Sequence, residues 1–132
     1  MRTGRAPGFA RVALALIRIT NGSAALVAPS VLTRNLGVAR TQNQAIDYVF
    51  RMFGIRTVLI GCELLLPDGE VRAAAVRVAP VIHASDTAAA ALAGLTRQIP
   101  VRSAVIATSI SALNTALALT ANCGERRAAS PA

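Results

Sequence analysis

Four apolar stretches, each about 20 residues long, occupy most of the 132-residue chain and limit the folds open to it. An α-helix of that length rises about 1.5 Å per residue and so crosses the ~30 Å hydrocarbon core of a bilayer. Short breaks with turn-forming residues, such as Pro67-Asp68-Gly69, separate the stretches. The sequence therefore predicts a single all-α domain over residues 1–132, a four-helix transmembrane bundle with up-down-up-down topology. Its helices are expected at residues 9–29, 46–66, 73–95 and 101–121.

The composition favours a membrane over water as the surrounding medium. Hydrophobic residues make up 54% of the chain and charged residues 15%, against roughly 25% charged in an average soluble domain. A soluble four-helix bundle is the alternative, but no stretch carries a wide charged face for it to turn to water. The third stretch is predicted to be the weakest span because it contains Arg77, Pro80, His83 and Asp86.

The net charge of +8 comes from arginines spaced singly along the chain, with one adjacent pair at Arg126-Arg127. A nucleic-acid surface would need a basic patch or interleaved aromatic residues, so we expect no nucleic-acid partner. Arginines flanking the helices set membrane orientation. The side with both termini has more of them than the other, namely Arg2, Arg5, Arg11, Arg72, Arg126 and Arg127 against Arg34, Arg40, Arg97 and Arg102. The sequence predicts a multi-pass protein of the cell membrane with both termini in the cytoplasm.

Cys62, Cys123 and the single His83 do not have the spacing of a metal site. The two cysteines are also expected at different depths, too far apart for a disulfide. We expect neither a metal nor a cofactor.

Each predicted span carries polar residues near its middle, and such residues usually face the bundle interior. They form a candidate polar cluster of Arg18, Asn21, Arg56, His83, Asp86 and Asn114. If the second and third helices form a hairpin about Asp68-Gly69, Arg56 comes level with His83 and Asp86. The same register sets Glu63 level with Arg77. We therefore expect an Arg56–Asp86 ion pair and a secondary Glu63–Arg77 pair.

The polar cluster has two interpretations. It is a ligand site or proton path, or it is structural, with buried charges that neutralise one another and fix the helix register. A row of small residues along the fourth helix is likewise open to two interpretations, namely packing inside the monomer or docking to a second copy or a larger membrane partner. The row consists of Ser103, Ala107, Ser111 and Thr115, beside a parallel row from Ala104 to Ala116.

Two short motifs resemble a family of small four-helix membrane proteins common in actinobacteria, with an architecture similar to DoxX-like proteins. Phe53-Gly54-Ile55-Arg56, followed by Gly61, resembles its second-helix signature, and His83-Ala84-Ser85-Asp86 is similar to its His-x-x-Asp element. Where the family has an acidic residue after the arginine, this chain has Thr57, which makes Asp86 the more important partner for Arg56. The resemblance covers roughly residues 9–121. It implies a membrane fold and location but no established activity.

These observations predict a small integral membrane protein that binds a small molecule or lipid at the polar cluster, or serves as an accessory subunit. The alternative is a membrane-embedded enzyme or proton-coupled protein in which His83 and Asp86 form an acid/base pair. Since the chain lacks nucleophile, metal and phosphate-loop motifs, the non-enzymatic interpretation is favoured.

Overall fold

The computed structural model describes residues 5–35 and 44–129. Over these ranges the chain forms five α-helices and no β-strand, which confirms the all-α class for the described residues. The helices are α1 (Arg5–Val27), α2 (Pro29–Asn35), α3 (Gln44–Glu63), α4 (Glu70–Leu95) and α5 (Val101–Ala129). Arg2 and Arg40, which enter the orientation argument, lie outside these ranges.

The four long helices overlap the four predicted stretches, whereas α2 was not predicted. The sequence predicts that the first helix ends at Pro29. Because proline is well tolerated in the first turn of a helix, a new short helix begins there instead. Helix α5 continues to Ala129, well past the predicted end at residue 121. Glu125, Arg126 and Arg127 follow the apolar stretch and have good helix propensity, so loss of hydrophobicity does not end α5.

The long helices pack unevenly. Helix α1 lies along both α3 and α5, and α4 lies along α5. Helices α3 and α4 make few contacts, although only a short turn joins them. The fully buried core lies among α1, α4, α5 and the end of α3, and includes Leu14, Ala15, Leu64, Val76 and Ala118.

Glycines bring α1 and α3 into very close contact, along a line that we call the glycine seam (Gly22, Gly54 and Gly61). A Cβ atom added to Gly54 would lie 2.6 Å from the carbonyl oxygen of Gly22, and one added to Gly22 would lie 2.8 Å from that of Gly54. A Cβ atom on Gly61 would lie 3.1 Å from the carbonyl oxygen of Ala15. Earlier residues of α1 thus face later residues of α3, so the two helices run antiparallel at backbone contact.

Polar contacts join the helices at the end of the molecule where α1 and α4 begin. Arg72 of α4 binds Glu125 of α5, with 3.0 Å between Nη2 and Oε1, and also pairs with Asp68. Arg11 of α1 donates a hydrogen bond to the carbonyl oxygen of Leu64, just after α3. These contacts hold the start of α4 against the end of α5, and the start of α1 against the end of α3.

Three helical segments in the described part of the chain are long and apolar enough to cross a membrane: Ala6–Val27, Glu70–Leu95 and Val101–Ala128. Helix α3 is not among them because it carries Asp47, Arg51, Arg56 and Glu63. Residues 73–95 were predicted to be the weakest span, but among the four long helices it is α3 that does not qualify as a candidate span. Large apolar side chains are nevertheless exposed along all four long helices, including Leu16, Leu59, Val81 and Ile106.

Candidate functional site

Each long helix buries one polar side chain. They are Arg18 of α1, Thr57 of α3, His83 of α4 and Asn114 of α5, and each is 6% exposed or less. We call these four residues the buried polar layer. Burial of so many polar groups in a small protein is costly unless each finds a partner, so their contacts indicate what the layer does.

The four residues lie at about the same depth. Thr57 lies between Gly54, which faces Gly22, and Gly61, at which an added Cβ atom would lie 3.3 Å from the Cβ atom of Arg18, so Thr57 is about one helical turn from the level of Arg18. On α5, Gly124 contacts Pro7 of α1, and from this contact ten residues of α5 lead back to Asn114 and eleven residues of α1 lead on to Arg18. His83 contacts Arg18 directly. The layer therefore crosses the molecule at one level, to within about one helical turn.

The central contact of the layer joins Arg18 to His83. The Nη1 atom of Arg18 lies 2.5 Å from Nε2 of His83. Because a guanidinium group can only donate, Nε2 accepts, and the proton of a neutral imidazole is on Nδ1. That Nδ1 atom lies 3.9 Å from Oδ2 of Asp86, one turn further along α4. The histidine thus stands between a cation and a carboxylate.

Asp86 and Arg56 lie at the edge of the layer. The Asp86 side chain is 40% exposed, and Arg56 is exposed. Both are within electrostatic range of Arg18, which Asp86 attracts and Arg56 repels. The neutral His83 therefore has one positive charge beside it inside the layer, on Arg18, and one positive and one negative charge at the edge of the layer, on Arg56 and Asp86.

The expected Arg56–Asp86 and Glu63–Arg77 ion pairs do not form among the described residues, in which Asp86 instead faces His83. The expectation assumed that α3 and α4 pack as a hairpin. The glycine seam draws α3 onto α1 instead, and α4 packs on α5, so equal depth does not bring these side chains together. Arg77 is exposed.

Hydroxyl groups tie α4 to α5 beside the layer. Thr87 donates a hydrogen bond to the carbonyl oxygen of His83 at 2.7 Å, and its Oγ1 lies 3.2 Å from Oγ1 of Thr115. Near the start of α5, Ala104 is buried against Gly94 of α4. Members of both small-residue rows on α5 therefore pack inside the monomer, as one of the two interpretations expects.

Two buried polar atoms of the layer have no hydrogen-bond partner among the described residues: Nε of Arg18, a donor, and Oδ1 of Asn114, an acceptor. An unpaired buried polar group costs about 1–3 kcal/mol. A water or ligand that offers both an acceptor and a donor at this level would recover that free energy.

Sequence reasoning found three of the four residues of the layer and missed Thr57. Of the other predicted cluster members, Asn21 is exposed, as Arg56 is. Thr57 could have been found from its spacing, because it lies three residues after Gly54 and four before Gly61, on the face of α3 that the glycines mark. Within the described ranges, no three residues of the types that ligate metals lie close enough to hold an ion.

Comparisons with protein families, with curated proteins and with solved structures find no match for this chain. An assignment of function therefore rests on the buried polar layer. Its chemistry suits recognition of a polar group, since it offers a guanidinium donor, an amide acceptor and a neutral imidazole in an otherwise apolar interior.

Proposed function

We propose that the protein is a small integral membrane protein of the cell membrane that binds a small molecule or lipid at the buried polar layer. In this proposal, α1, α3, α4 and α5 form an up-down-up-down transmembrane bundle of the kind seen in DoxX-like proteins. The observation that carries the proposal is the pair of unpartnered buried atoms, Arg18 Nε and Asn114 Oδ1, at one depth between apolar helices.

Membership of α3 in the bundle is supported by its contact with α1. Helix α1 is a candidate span, and α3 runs antiparallel along it from Gly54 to Gly61. Arg11 also reaches from the start of α1 to the end of α3. If α1 crosses the bilayer, α3 crosses beside it. The interior and the neighbouring helices then accommodate charges that α3 could not carry into lipid alone.

The charge around the layer indicates the class of ligand. Arg18 and Arg56 outnumber Asp86, so an anionic group is favoured. The sparse contact between α3 and α4, beside which Asp86 is partly exposed, provides a route from the lipid. The proposed ligand is therefore an amphipathic molecule with one anionic or strongly hydrogen-bonding group.

The ligand test compares two asparagines. We expect the wild-type protein, purified in mild detergent, to retain a small molecule or lipid that native mass spectrometry detects. Asn114→Leu should lose it, whereas Asn21→Leu, at an exposed position, should keep it. Absence of any bound molecule from all three proteins, or equal retention by all three, would refute a ligand site in the layer and leave it a structural element.

A second candidate is a proton-coupled protein, favoured by the 3.9 Å approach of His83 Nδ1 to Asp86 Oδ2. An imidazole beside a carboxylate can relay a proton. Proton flux into liposomes, abolished by His83→Gln and retained in Asn21→Leu, would support this function over passive binding.

An accessory role is the remaining proposal, with docking to a second copy or a larger membrane protein through the exposed part of α5.

Membrane integration predicts the behaviour of the protein under alkaline extraction. Sodium carbonate removes peripheral proteins, but it does not remove helices that bury about 20 apolar residues in hydrocarbon. We expect the protein to stay in the membrane pellet. Its release as a monodisperse protein without detergent would contradict the proposal.

The four-span topology predicts that the two turns flanking α4 lie on opposite sides of the membrane. In a background with Cys62 and Cys123 replaced by alanine, a cysteine at Arg97 should react only from outside the cell. A cysteine at Asp68 should react only from the cytoplasm, as the arginine bias predicts. Exchange of the two patterns would reverse the orientation, and reaction of both from one side would contradict the crossing of α4.

A further inference from the structure

A cleft of about 520 Å³ opens at the end of the molecule where α1 and α4 begin and α5 ends. Its volume falls in the range of small-molecule sites. Five charged residues line it: Arg11, Asp68, Arg72, Glu125 and Arg127. It lies at the opposite end of α4 and α5 from their joining turn and is separate from the buried polar layer.

The acidic residues of the cleft are both paired with one arginine, whereas the other two arginines have no acidic partner in the part of the chain that the structure describes. Asp68 and Glu125 both pair with Arg72. Arg11 donates to the carbonyl oxygen of Leu64, which is neutral, and Arg127 pairs with no carboxylate among the described residues. Three arginines and two acidic residues give the cleft a net charge of +1, and the guanidinium groups of Arg11 and Arg127 have no carboxylate partner among the described residues.

Four of the residues that line the cleft have a small side chain or none, which leaves its volume open. Gly8 of α1 and Ala121, Gly124 and Ala128 of α5 form much of the wall between the charged side chains. A Cβ atom added to Gly8 would meet nothing within 4 Å, so the space beside it is open. The cleft therefore has open space beside Gly8 at the start of α1.

The cleft lies at the common boundary of the three candidate spans. Gly8 is near the start of the first, Arg72 is near the start of the second, and Arg127 is near the end of the third. In a membrane this is the depth of the lipid headgroups, just outside the hydrocarbon. Guanidinium groups match phosphate oxygens with paired hydrogen bonds, and arginines near an anionic leaflet attract its lipids.

We propose that this cleft binds the phosphate of an anionic phospholipid headgroup, with Arg11 and Arg127 as the donors. Arg72, which also lines the cleft, pairs with the carboxylates of Asp68 and Glu125. This site rests on the proposed membrane location, but not on the proposed ligand in the buried polar layer.

The test is native mass spectrometry of the detergent-purified protein titrated with phosphatidylglycerol, and in parallel with phosphatidylcholine. We expect saturable binding of phosphatidylglycerol and weaker binding of phosphatidylcholine. Arg127→Gln should weaken phosphatidylglycerol binding about fivefold, and Arg11→Gln with Arg127→Gln about thirtyfold, from the attraction of an arginine near an anionic surface. Gly8→Leu should block the cleft without a change in charge.

Arg126→Gln is the matched control, because Arg126 neighbours Arg127 on the same helix but does not line the cleft. It should leave phosphatidylglycerol binding unchanged. Equal loss of phosphatidylglycerol binding in Arg126→Gln and Arg127→Gln would mean that only the net charge of the protein matters, and would overturn the site. Equal binding of the two lipids would overturn it as well. So would normal phosphatidylglycerol binding by Gly8→Leu. Full displacement of the lipid by millimolar inorganic phosphate would show that free phosphate is the ligand, and would overturn the lipid assignment. Membrane retention in carbonate is measured separately, so failure of this site is distinguishable from failure of the membrane proposal.

Discussion

Gly54→Ala is expected to lower the free energy of unfolding by about 3 kcal/mol, the upper end of the range for overpacked interiors. The new Cβ atom would lie 2.6 Å from the carbonyl oxygen of Gly22 and 2.8 Å from the amide nitrogen of Leu26. Both are backbone atoms of α1, so no side chain can rotate to relieve the clash. The helices must move apart along the whole glycine seam, which also loosens the contacts of Arg18 and Thr57.

Gly8→Ala is the control for this substitution. It makes the same chemical change in α1, where a Cβ atom meets nothing within 4 Å, and alanine favours the helix over glycine by up to about 1 kcal/mol. The control should therefore be neutral or slightly stabilising. Thermal unfolding in detergent, followed by circular dichroism at the helical band, measures both variants. A Gly54→Ala protein as stable as wild type would mean that α1 and α3 do not meet at the seam.

His83→Leu is expected to cost about 3–5 kcal/mol of stability, because it leaves the Arg18 guanidinium buried without its acceptor. Arg18→Leu combined with His83→Leu should recover most of this loss, since a buried polar pair replaced by apolar residues is often close to neutral. The double-mutant cycle isolates the interaction between the two side chains.

Two charged residues at the edge of the layer, Arg56 and Asp86, supply the comparison. Arg56→Gln changes an exposed arginine and should cost far less than the loss of Arg18 or His83. Asp86→Asn should have an intermediate effect, because the carboxylate lies 3.9 Å from the imidazole and remains partly exposed. Additive effects of Arg18→Leu and His83→Leu, with no recovery in the double variant, would contradict a coupled pair.

The depth of the polar residues could be predicted from the sequence, but their neighbours could not. Arg18, His83 and Asn114 each fall near the middle of a long apolar helix, and hydrophobicity along the chain gives that position. Which helices touch depends on side-chain volume around each helix. The arrangement of Gly22, Gly54 and Gly61 decides it for α3, which packs on α1, and Asp86 of α4 has no ion pair with Arg56.

Helix α2 and Thr57 illustrate two further limits of prediction. A seven-residue helix beginning at proline has too few residues for a periodic pattern, so only its turn chemistry was visible. Thr57 appeared only as a departure from a resembling motif, and its burial depends on the same close approach of α1 and α3. Helix α2 is too short to show a pattern, whereas the spacing of Gly54 and Gly61 around Thr57 was a signal that could have identified it.

The glycine seam also has a consequence for the biogenesis of the protein. Helix α3 carries too much charge to qualify as a span by itself, whereas α1 qualifies and leaves the ribosome first. In the proposed bundle, α1 is therefore already in the bilayer when α3 emerges, and offers it a complementary surface at the moment of insertion. Helix α1 is thus synthesised before the helix that depends on it for insertion. A circular permutation in which α3 is synthesised before α1 would leave α3 to insert without a partner helix.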